Sequence, residues 1–123
     1  MLPDTNILIA YLDGDPKVLE AFTIWKKDGG VLYLSSIVEA ELLSFSSATG
    51  QEVEKMEAFL QENFIFIPFE RQIARLTGKL RREKKMKLAD AAIAATALYL
   101  GTPLVTRNKK DFQVKGLALI DWL

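Results

Sequence analysis

The chain has 123 residues, 50% of them hydrophobic, and its 16 basic residues balance its 16 acidic ones. This length fits one domain over residues 1–123, and the neutral balance gives no general support for nucleic-acid or membrane binding. Cysteine and histidine are absent, which excludes disulfides, zinc-thiolate sites and Ser-His or Cys-His catalysis. We expect a cytoplasmic protein, because the sequence contains neither a signal peptide nor an apolar run of membrane length. Any catalysis must rely on carboxylates, lysine, hydroxyl groups or a metal ion.

Helices alternate with short apolar strands along the chain. Helices are predicted over residues 7–12, 17–28, 37–47 and 51–62 and from residues 70 and 88, with strands over 31–35, 64–69, 104–106 and 117–120. Ser35 or Ser36 caps the third helix, and Glu39 completes a capping box if Ser36 is the cap. The runs over residues 31–35 and 64–69 are typical of buried strands. This alternation predicts an open parallel sheet between helices, with ligands bound beyond the carboxyl ends of its strands.

Asp90 is the most conspicuous residue of the chain. It is the only charged side chain between Lys87 and Arg107, in a helix whose alanine, isoleucine and leucine residues surround it on every face. A partly desolvated carboxylate is costly unless something pairs with it. One interpretation places Asp90 simply in the first helical turn, where unpaired N–H groups favour an acid. The other, which we prefer, is that Asp90 binds a cation.

Three further acids are candidate partners of Asp90. Asp4 lies at the junction before the first helix, although an aspartate there also serves as an ordinary helix cap. Glu41 falls in the middle of the apolar stripe of the third helix, where we expect it to point at the core. Asp111 follows the strand of residues 104–106. All four carboxylates can project towards one edge of the sheet.

A cluster of four carboxylates needs a compensating charge, because in a poorly solvated pocket each acid raises the proton affinity of the others. A hard divalent cation relieves that repulsion, and oxygen ligands without histidine or cysteine favour Mg²⁺ or Mn²⁺ over zinc. Such a cation lowers the pKa of water and neutralises charge on a phosphoryl transition state. The sequence therefore predicts phosphodiester hydrolysis, with a nucleic acid as the natural substrate.

Several segments together resemble the PIN domain family, and most of all its VapC toxins. They are Asp4-Thr5-Asn6, Ser35-Ser36 through Glu41-Leu42, Leu88 through Ala97, and Leu104 through Phe112. The resemblance implies a three-layer α/β/α sandwich with a short parallel sheet, Mg²⁺- or Mn²⁺-dependent endoribonuclease activity, a homodimer and an antitoxin partner. It assigns the metal and catalysis to Asp4, Glu41, Asp90 and Asp111, and the supporting hydrogen bonds to Thr5, Asn6, Thr106 and Asn108.

The N-terminus departs from the family pattern. Only Met1, Leu2 and Pro3 precede the Asp-Thr-Asn motif, and Pro3 cannot donate a ladder hydrogen bond. We expect either a truncated first strand or a chain start placed too far downstream. Either would loosen the positioning of Asp4.

Basic residues offer a path for the phosphate backbone of RNA. Lysines continue beyond the helix that starts at residue 70, at Lys84, Lys85 and Lys87. The residues that we expect to guide RNA are Arg107, Lys109 and Lys110 after the fourth strand, and Arg75, Lys79 and Arg82 on one helix face. An ordinary solvated cationic face is the alternative interpretation of that helix.

Two other functions remain open at this point. One is a catalytically silent PIN-like scaffold that binds RNA or a partner. The other is a phosphoacceptor receiver domain of similar length and Mg²⁺ use. A receiver would need an acidic pair after the first strand and a lysine after the last core strand, where this chain has Asp4 without an acidic neighbour and Arg107.

Overall fold

The computed structural model describes residues 1–44 and 48–123. Five short strands alternate with six helices in the described residues. The strands are β1 (Leu2–Pro3), β2 (Tyr33–Ser35), β3 (Ile65–Ile67), β4 (Leu104–Val105) and β5 (Leu119–Ile120). The helices are α1 (Thr5–Leu12), α2 (Pro16–Lys27), α3 (Ser36–Leu42), α4 (Gly50–Asn63), α5 (Arg71–Glu83) and α6 (Leu88–Leu100), and a 3₁₀ turn covers Lys109–Phe112. The predicted alternation is confirmed, although most strands are shorter than predicted.

The strands are parallel and β1 lies at the centre. β1 pairs with β4, which pairs with β5, while β2 pairs with β3. A hydrogen bond of 2.9 Å from the Tyr33 N–H to the Met1 carbonyl joins the two groups, so the spatial order is β3-β2-β1-β4-β5. A regular parallel ladder would add a bond from residue 3 to the Tyr33 carbonyl, which Pro3 cannot donate. β1 and β2 are therefore joined by fewer main-chain hydrogen bonds than a regular parallel pair.

The order of the strands places a topological switch point beside β1. From β1 the chain moves outward on one side to β2 and β3, then crosses to β4 and β5 on the other side. Right-handed crossovers that run in opposite directions put their helices on opposite faces of the sheet, as a three-layer arrangement requires. The crevice between the carboxyl ends of β1 and β4 is where such sheets bind ligands.

Local sequence signals explain how several helices begin and end. The Asp15 carboxylate caps α2 by accepting from the Lys17 and Val18 N–H groups, with Pro16 in the first turn. Thr49 and Glu52 form a capping box at the start of α4. Capping side chains satisfy N–H groups that have no partner within the helix. Capping residues of this kind make the starts of these helices predictable from the sequence.

The structure decides one open alternative and corrects two local predictions. Ser35, and not Ser36, caps α3, and that helix ends at Leu42, while the predicted end at residues 45–47 lies outside the described residues. The strand over residues 64–69 was predicted to be buried, but β3 is an exposed edge strand in which Ile65 is 53% exposed. An apolar run alone does not distinguish a central strand from an edge strand, because the position of a strand in the sheet depends on the strand order.

A single hydrophobic cluster joins both sides of the sheet. It includes Leu2 from β1, Phe22 from α2, Leu34 from β2, Ile93 from α6 and Leu104 from β4, all buried. Within residues 1–44 and 48–123, no helix has both the length and the apolar character needed to cross a membrane. The alanine-rich α6 packs closely along α5, since its small side chains allow the two helices to approach.

Candidate active site

A cavity of about 290 Å³ opens at the carboxyl ends of β1 and β4. Its lining comes from separate elements: Asp4, Thr5, Asn6 and Ile9 from the first motif and α1, Glu41 from α3, Asp90 and Ile93 from α6, and Asn108 and Phe112 after β4. Three predicted acids and three predicted polar residues therefore meet around one space. Ile9, Ile93 and Phe112 supply its apolar walls, and none of the three was among the predicted site residues.

Asp4 is the most constrained of the acids, and it is 3% exposed. Its N–H donates to the Val105 carbonyl at 2.9 Å, which continues the pairing of β1 with β4. Its Oδ1 caps α1 by accepting from the Ile7 N–H at 3.0 Å, and its Oδ2 accepts from the Thr106 hydroxyl at 2.6 Å. The two-residue strand thus fixes Asp4 firmly, contrary to the loosening that we expected from Pro3.

Thr106 connects Asp4 to the loop after β4. This residue is fully buried, and its Oγ1 donates to Asp4 while accepting from the Asn108 N–H at 2.9 Å. A threonine hydroxyl can do both at once because it has one donor and two acceptor positions. Thr106 therefore orients a carboxylate and a loop backbone with one atom.

Glu41 lines the cavity from α3, but its side chain does not point into the core. The sequence placed it on an apolar stripe pointing inward, whereas the structure leaves it exposed and on the cavity wall. Its Oε1 accepts a hydrogen bond of 2.6 Å from the Thr5 hydroxyl. The predicted inward direction of Glu41 is wrong because α3 is short and runs past the open crevice at the carboxyl ends of the strands.

Asp90 joins this cavity to a second one of about 200 Å³. It lies in the first turn of α6 and is partly exposed, so the helix-terminus interpretation describes its place correctly. Asp111, by contrast, is exposed and lines only the second cavity. The other residues around that cavity are Lys84, Lys85, Met86, Lys87, Lys110 and Gln113.

Burial and mutual repulsion perturb two of the acids. Burial raises the pKa of Asp4 above its ordinary value, and the Glu41 carboxylate adds to this, although the hydrogen bonds from Thr106 and Ile7 partly oppose it. Burial likewise raises the pKa of Asp90, assisted by Asp111, Glu41 and Asp4 and opposed by Lys87. All four predicted acids therefore interact electrostatically, as expected for neighbouring like charges.

Cations do not neutralise these acids through close contacts. The ion pairs found in the described residues join Arg107 to Asp15 and Lys109 to Asp121. No group of three or more acidic side chains in residues 1–44 and 48–123 is already arranged to hold a metal ion. The acids thus surround a shared space without forming a complete ligand set of their own.

The predicted RNA-guiding residues occupy different places. Lys110 lines the second cavity, whereas Arg107 and Lys109 are held by the ion pairs just described. Arg75, Lys79 and Arg82 are exposed on α5 and line neither cavity. Lys84, Lys85 and Lys87, which the sequence placed at the end of a basic strip leading towards α6, line the second cavity together with Asp90.

Comparisons with known proteins agree with the architecture. The family model described as "PIN domain" matches residues 1–116. The structure of VapBC2 from Rickettsia felis, bound to a DNA fragment from its promoter, has a TM-score of 0.85 at 28% identity and covers 99% of this chain and 98% of that chain. A toxin-antitoxin complex from Klebsiella pneumoniae has a TM-score of 0.79 at 33% identity, with coverage of 97% and 94%. DNA-bound VapBC from Salmonella typhimurium gives 0.84 at 26%, with coverage of 99% and 97%.

No curated protein sequence gives a significant match. The family match nevertheless spans most of the chain, and the similar structures cover nearly all of it. Both the predicted resemblance and the predicted α/β fold with a parallel sheet are confirmed. The chain belongs to the PIN domain family.

Proposed function

We propose that this protein is a Mg²⁺- or Mn²⁺-dependent endoribonuclease and the toxin of a toxin-antitoxin pair. The observation that carries the proposal is the convergence of Asp4, Glu41 and Asp90, from three separate elements, on one cavity at the switch point of the sheet. Proteins seldom gather like charges in this way unless a ligand compensates them.

The donor set suits a hard divalent ion. Asp4, Glu41 and Asp90 offer only carboxylate oxygens, and Asn108 adds an amide side chain to the same wall. Mg²⁺ commonly binds through one or two carboxylates and completes its coordination with water and substrate phosphate oxygens. An incomplete ligand set is compatible with that mode of binding. When bound, the ion would lower the pKa of water and neutralise phosphate charge.

The surrounding side chains would keep the acids in position during the reaction. Thr106 and the Ile7 N–H hold the two oxygens of Asp4, and the Thr5 hydroxyl holds Glu41. Hydrogen bonds of this kind favour the ionised carboxylates, which are the forms that bind a cation. Thr106 would also position Asn108, since its hydroxyl accepts from the Asn108 N–H.

RNA would approach over the lysines of the second cavity. Lys84, Lys85, Lys87 and Lys110 border Asp90 and Asp111 there. A phosphate next to the scissile one would thus meet positive charge immediately beside the acidic cavity. This placement explains how a chain with no net charge can attract a polyanion, because attraction depends on the local potential.

The toxin assignment rests on the similar structures. The Klebsiella pneumoniae structure is a toxin-antitoxin complex by name, and the Rickettsia felis structure is named VapBC2. The chain also exposes large apolar side chains that a partner would cover, including Ile65 and Phe66 on β3. We therefore propose an antitoxin partner and a homodimer for this protein as well.

The main reason for considering a catalytically silent scaffold does not hold in this structure. It was suggested by a shortened entry into Asp4, yet the Asp4 main chain and side chain are both held by β4 and its following residue. The receiver-domain alternative has no support from the family match.

The decisive experiment measures RNA cleavage by the purified protein with Mg²⁺, with Mn²⁺ and with chelator. Asp90→Asn should lower the cleavage rate by at least about 100-fold, because an amide is a poor substitute for a metal-binding carboxylate. Asp28→Asn is the matched control, since it makes the same change at the exposed C-terminal end of α2. Equal cleavage in chelator, or full activity in Asp90→Asn, would show the mechanism to be wrong.

A second experiment identifies the basic surface that RNA uses. One variant combines Lys84→Gln with Lys85→Gln, and its control combines Arg75→Gln with Lys79→Gln on α5. Each lost phosphate contact should reduce the slope of log affinity against log salt by about 0.7 for single-stranded RNA. We expect that reduction for the cavity pair and not for the α5 pair. The reverse result would favour the helix face that the sequence suggested.

A further inference from the structure

Arg107 uses two nitrogens of its guanidinium group to join distant parts of the chain. Its Nη2 donates to Asp15 Oδ2 at 2.8 Å, and its Nε donates to the main-chain oxygen of Leu123 at 2.8 Å. The other oxygen of Asp15 accepts from the Lys17 and Val18 N–H groups at the start of α2. We call the contacts of Arg107 with Asp15 and Leu123 the Arg107 clamp.

The clamp has the features of a specific contact and not of a chance surface pair. The side chains of Arg107 and Asp15 are only 35% and 27% exposed. The hydrogen bond from Arg107 is the main reason that the pKa of Asp15 lies below its usual range. A planar guanidinium held at two points is also fixed in orientation, which a lysine at this position could not reproduce.

The clamp acts on the loop that carries two predicted site residues. Asn108 follows Arg107 directly, and the Asp111 N–H donates to the Asn108 carbonyl at 2.9 Å. A second ion pair of 3.3 Å joins Lys109 to Asp121. Trp122 in turn lies edge-on against Trp25 of α2, with ring centroids 6.3 Å apart. The loop is therefore tied to α2 and to residues 121–123 on its outer side.

We infer that Arg107 is a positioning residue that holds the loop of Asn108 and Asp111 at the edge of the acidic cavity, and that it is not a ligand for RNA. This inference rests on the proposed nuclease function for its catalytic consequence. Thr106 fixes the inner side of the loop through the Asn108 N–H, and Arg107 fixes the outer side. In this arrangement the positive charge of Arg107 is already paired with Asp15, which weakens its attraction for an RNA phosphate.

The test uses Asp15→Asn beside Arg107→Gln. Asparagine keeps an oxygen that can cap α2, since asparagine is as good a cap as aspartate, but it removes the charge that faces Arg107. Asp28→Asn, at the other end of the same helix, is the matched control. We would measure kcat, RNA affinity in chelator and the hydrogen-exchange rates of residues 108–112. The two interpretations of Arg107 predict different values of kcat for Asp15→Asn, lowered in one and unchanged in the other.

If Arg107 positions the loop, both variants should lower kcat roughly three- to tenfold, the size expected for one partly exposed charged contact. RNA affinity should be unchanged or slightly tighter in Asp15→Asn, because the variant loses a negative charge. Amide exchange of residues 108–112 should accelerate by a similar factor in both variants.

If Arg107 binds RNA instead, Asp15→Asn should bind RNA more tightly with an unchanged kcat, and Arg107→Gln should show a weaker salt dependence. That pattern would overturn the inference. Should the wild-type protein cleave no RNA, the proposed function fails, and amide exchange still decides the role of the clamp. Unchanged exchange in both variants would overturn it independently of activity.

Discussion

Replacing Thr106 by valine tests the central hydrogen bonds of the site. The change keeps the shape of the side chain but removes the hydroxyl that donates to Asp4 Oδ2 at 2.6 Å and accepts from the Asn108 N–H at 2.9 Å. A hydrogen bond to a charged group contributes about 1.5–3 kcal/mol, and an N–H left without a partner costs about 1 kcal/mol more. We therefore expect Thr106→Val to lower the free energy of unfolding by about 2–4 kcal/mol at neutral pH.

The destabilisation should depend on pH in a defined direction. Asp4 has a raised pKa in the folded state, so its ionised form costs stability at neutral pH, and this cost disappears as the pH falls through the folded-state pKa. The bond from Thr106 lowers that pKa, and its loss raises the pKa further. The difference in stability between the variant and the wild type should thus shrink in acid, towards the pH-independent cost of the unpaired Asn108 N–H.

The assay is urea unfolding in chelator at about pH 7.5 and about pH 4.5. Thr96→Val is the matched control, because Thr96 is equally buried and its hydroxyl donates only to the Ala92 carbonyl one turn earlier in α6. That local bond contributes little, so the control should lose less than about 1 kcal/mol at both pH values. Equal losses in the two variants, or a loss in Thr106→Val that does not change with pH, would refute the reasoning.

Two further predictions concern stability. Asp90→Asn should be more stable than the wild type in chelator near neutral pH, because the raised pKa of Asp90 means that its charge opposes folding there; the gain should be about 0.5–1 kcal/mol for a partly exposed group and should vanish in acid. Thermal unfolding at both pH values measures it, and a lower stability in chelator would contradict it. Gly30→Ala should lose about 1–3 kcal/mol, since the added Cβ would lie 2.8 Å from the Trp25 carbonyl oxygen. Gly50→Ala should instead gain about 0.5 kcal/mol, because among the described residues no atom beyond its chain neighbours and its own helix backbone lies within 4 Å of the added carbon. A similar effect of both substitutions on urea unfolding would argue against the close contact.

The structure places the predicted acids as expected where short-range chemistry determines their position. Asp4 was predicted both as a helix cap and as a cavity acid, and it serves as both because its two oxygens face different partners. Asp90 was singled out as a candidate site residue because a carboxylate in an alanine-rich helix requires an explanation. The inward direction of Glu41 was wrong, since periodicity cannot say whether an apolar face meets the core or an open crevice.

Long-range contacts account for the features of the site that the sequence did not predict. The sequence assigned Arg107 to RNA because it lies among lysines, but its partners Asp15 and Leu123 are 92 and 16 residues away. The lysines at 84, 85 and 87 precede Asp90 closely in the sequence, but only the fold brings Lys110 into the same cavity from the loop after β4. Charge patterning along a chain does not reveal which cations already have partners.

The sequence by itself determined the alternation of helices and strands, the Asp4 cap of α1, and the acids that we propose as cation ligands, because these depend on neighbouring residues and on side-chain chemistry. Only the tertiary structure decided that β1 pairs with β4, so that Thr106 meets Asp4 across 102 positions. It also decided that Asp90 borders two cavities and that Arg107 faces Asp15. Strand order and helix packing create these contacts, and neither is encoded in any short segment of the chain.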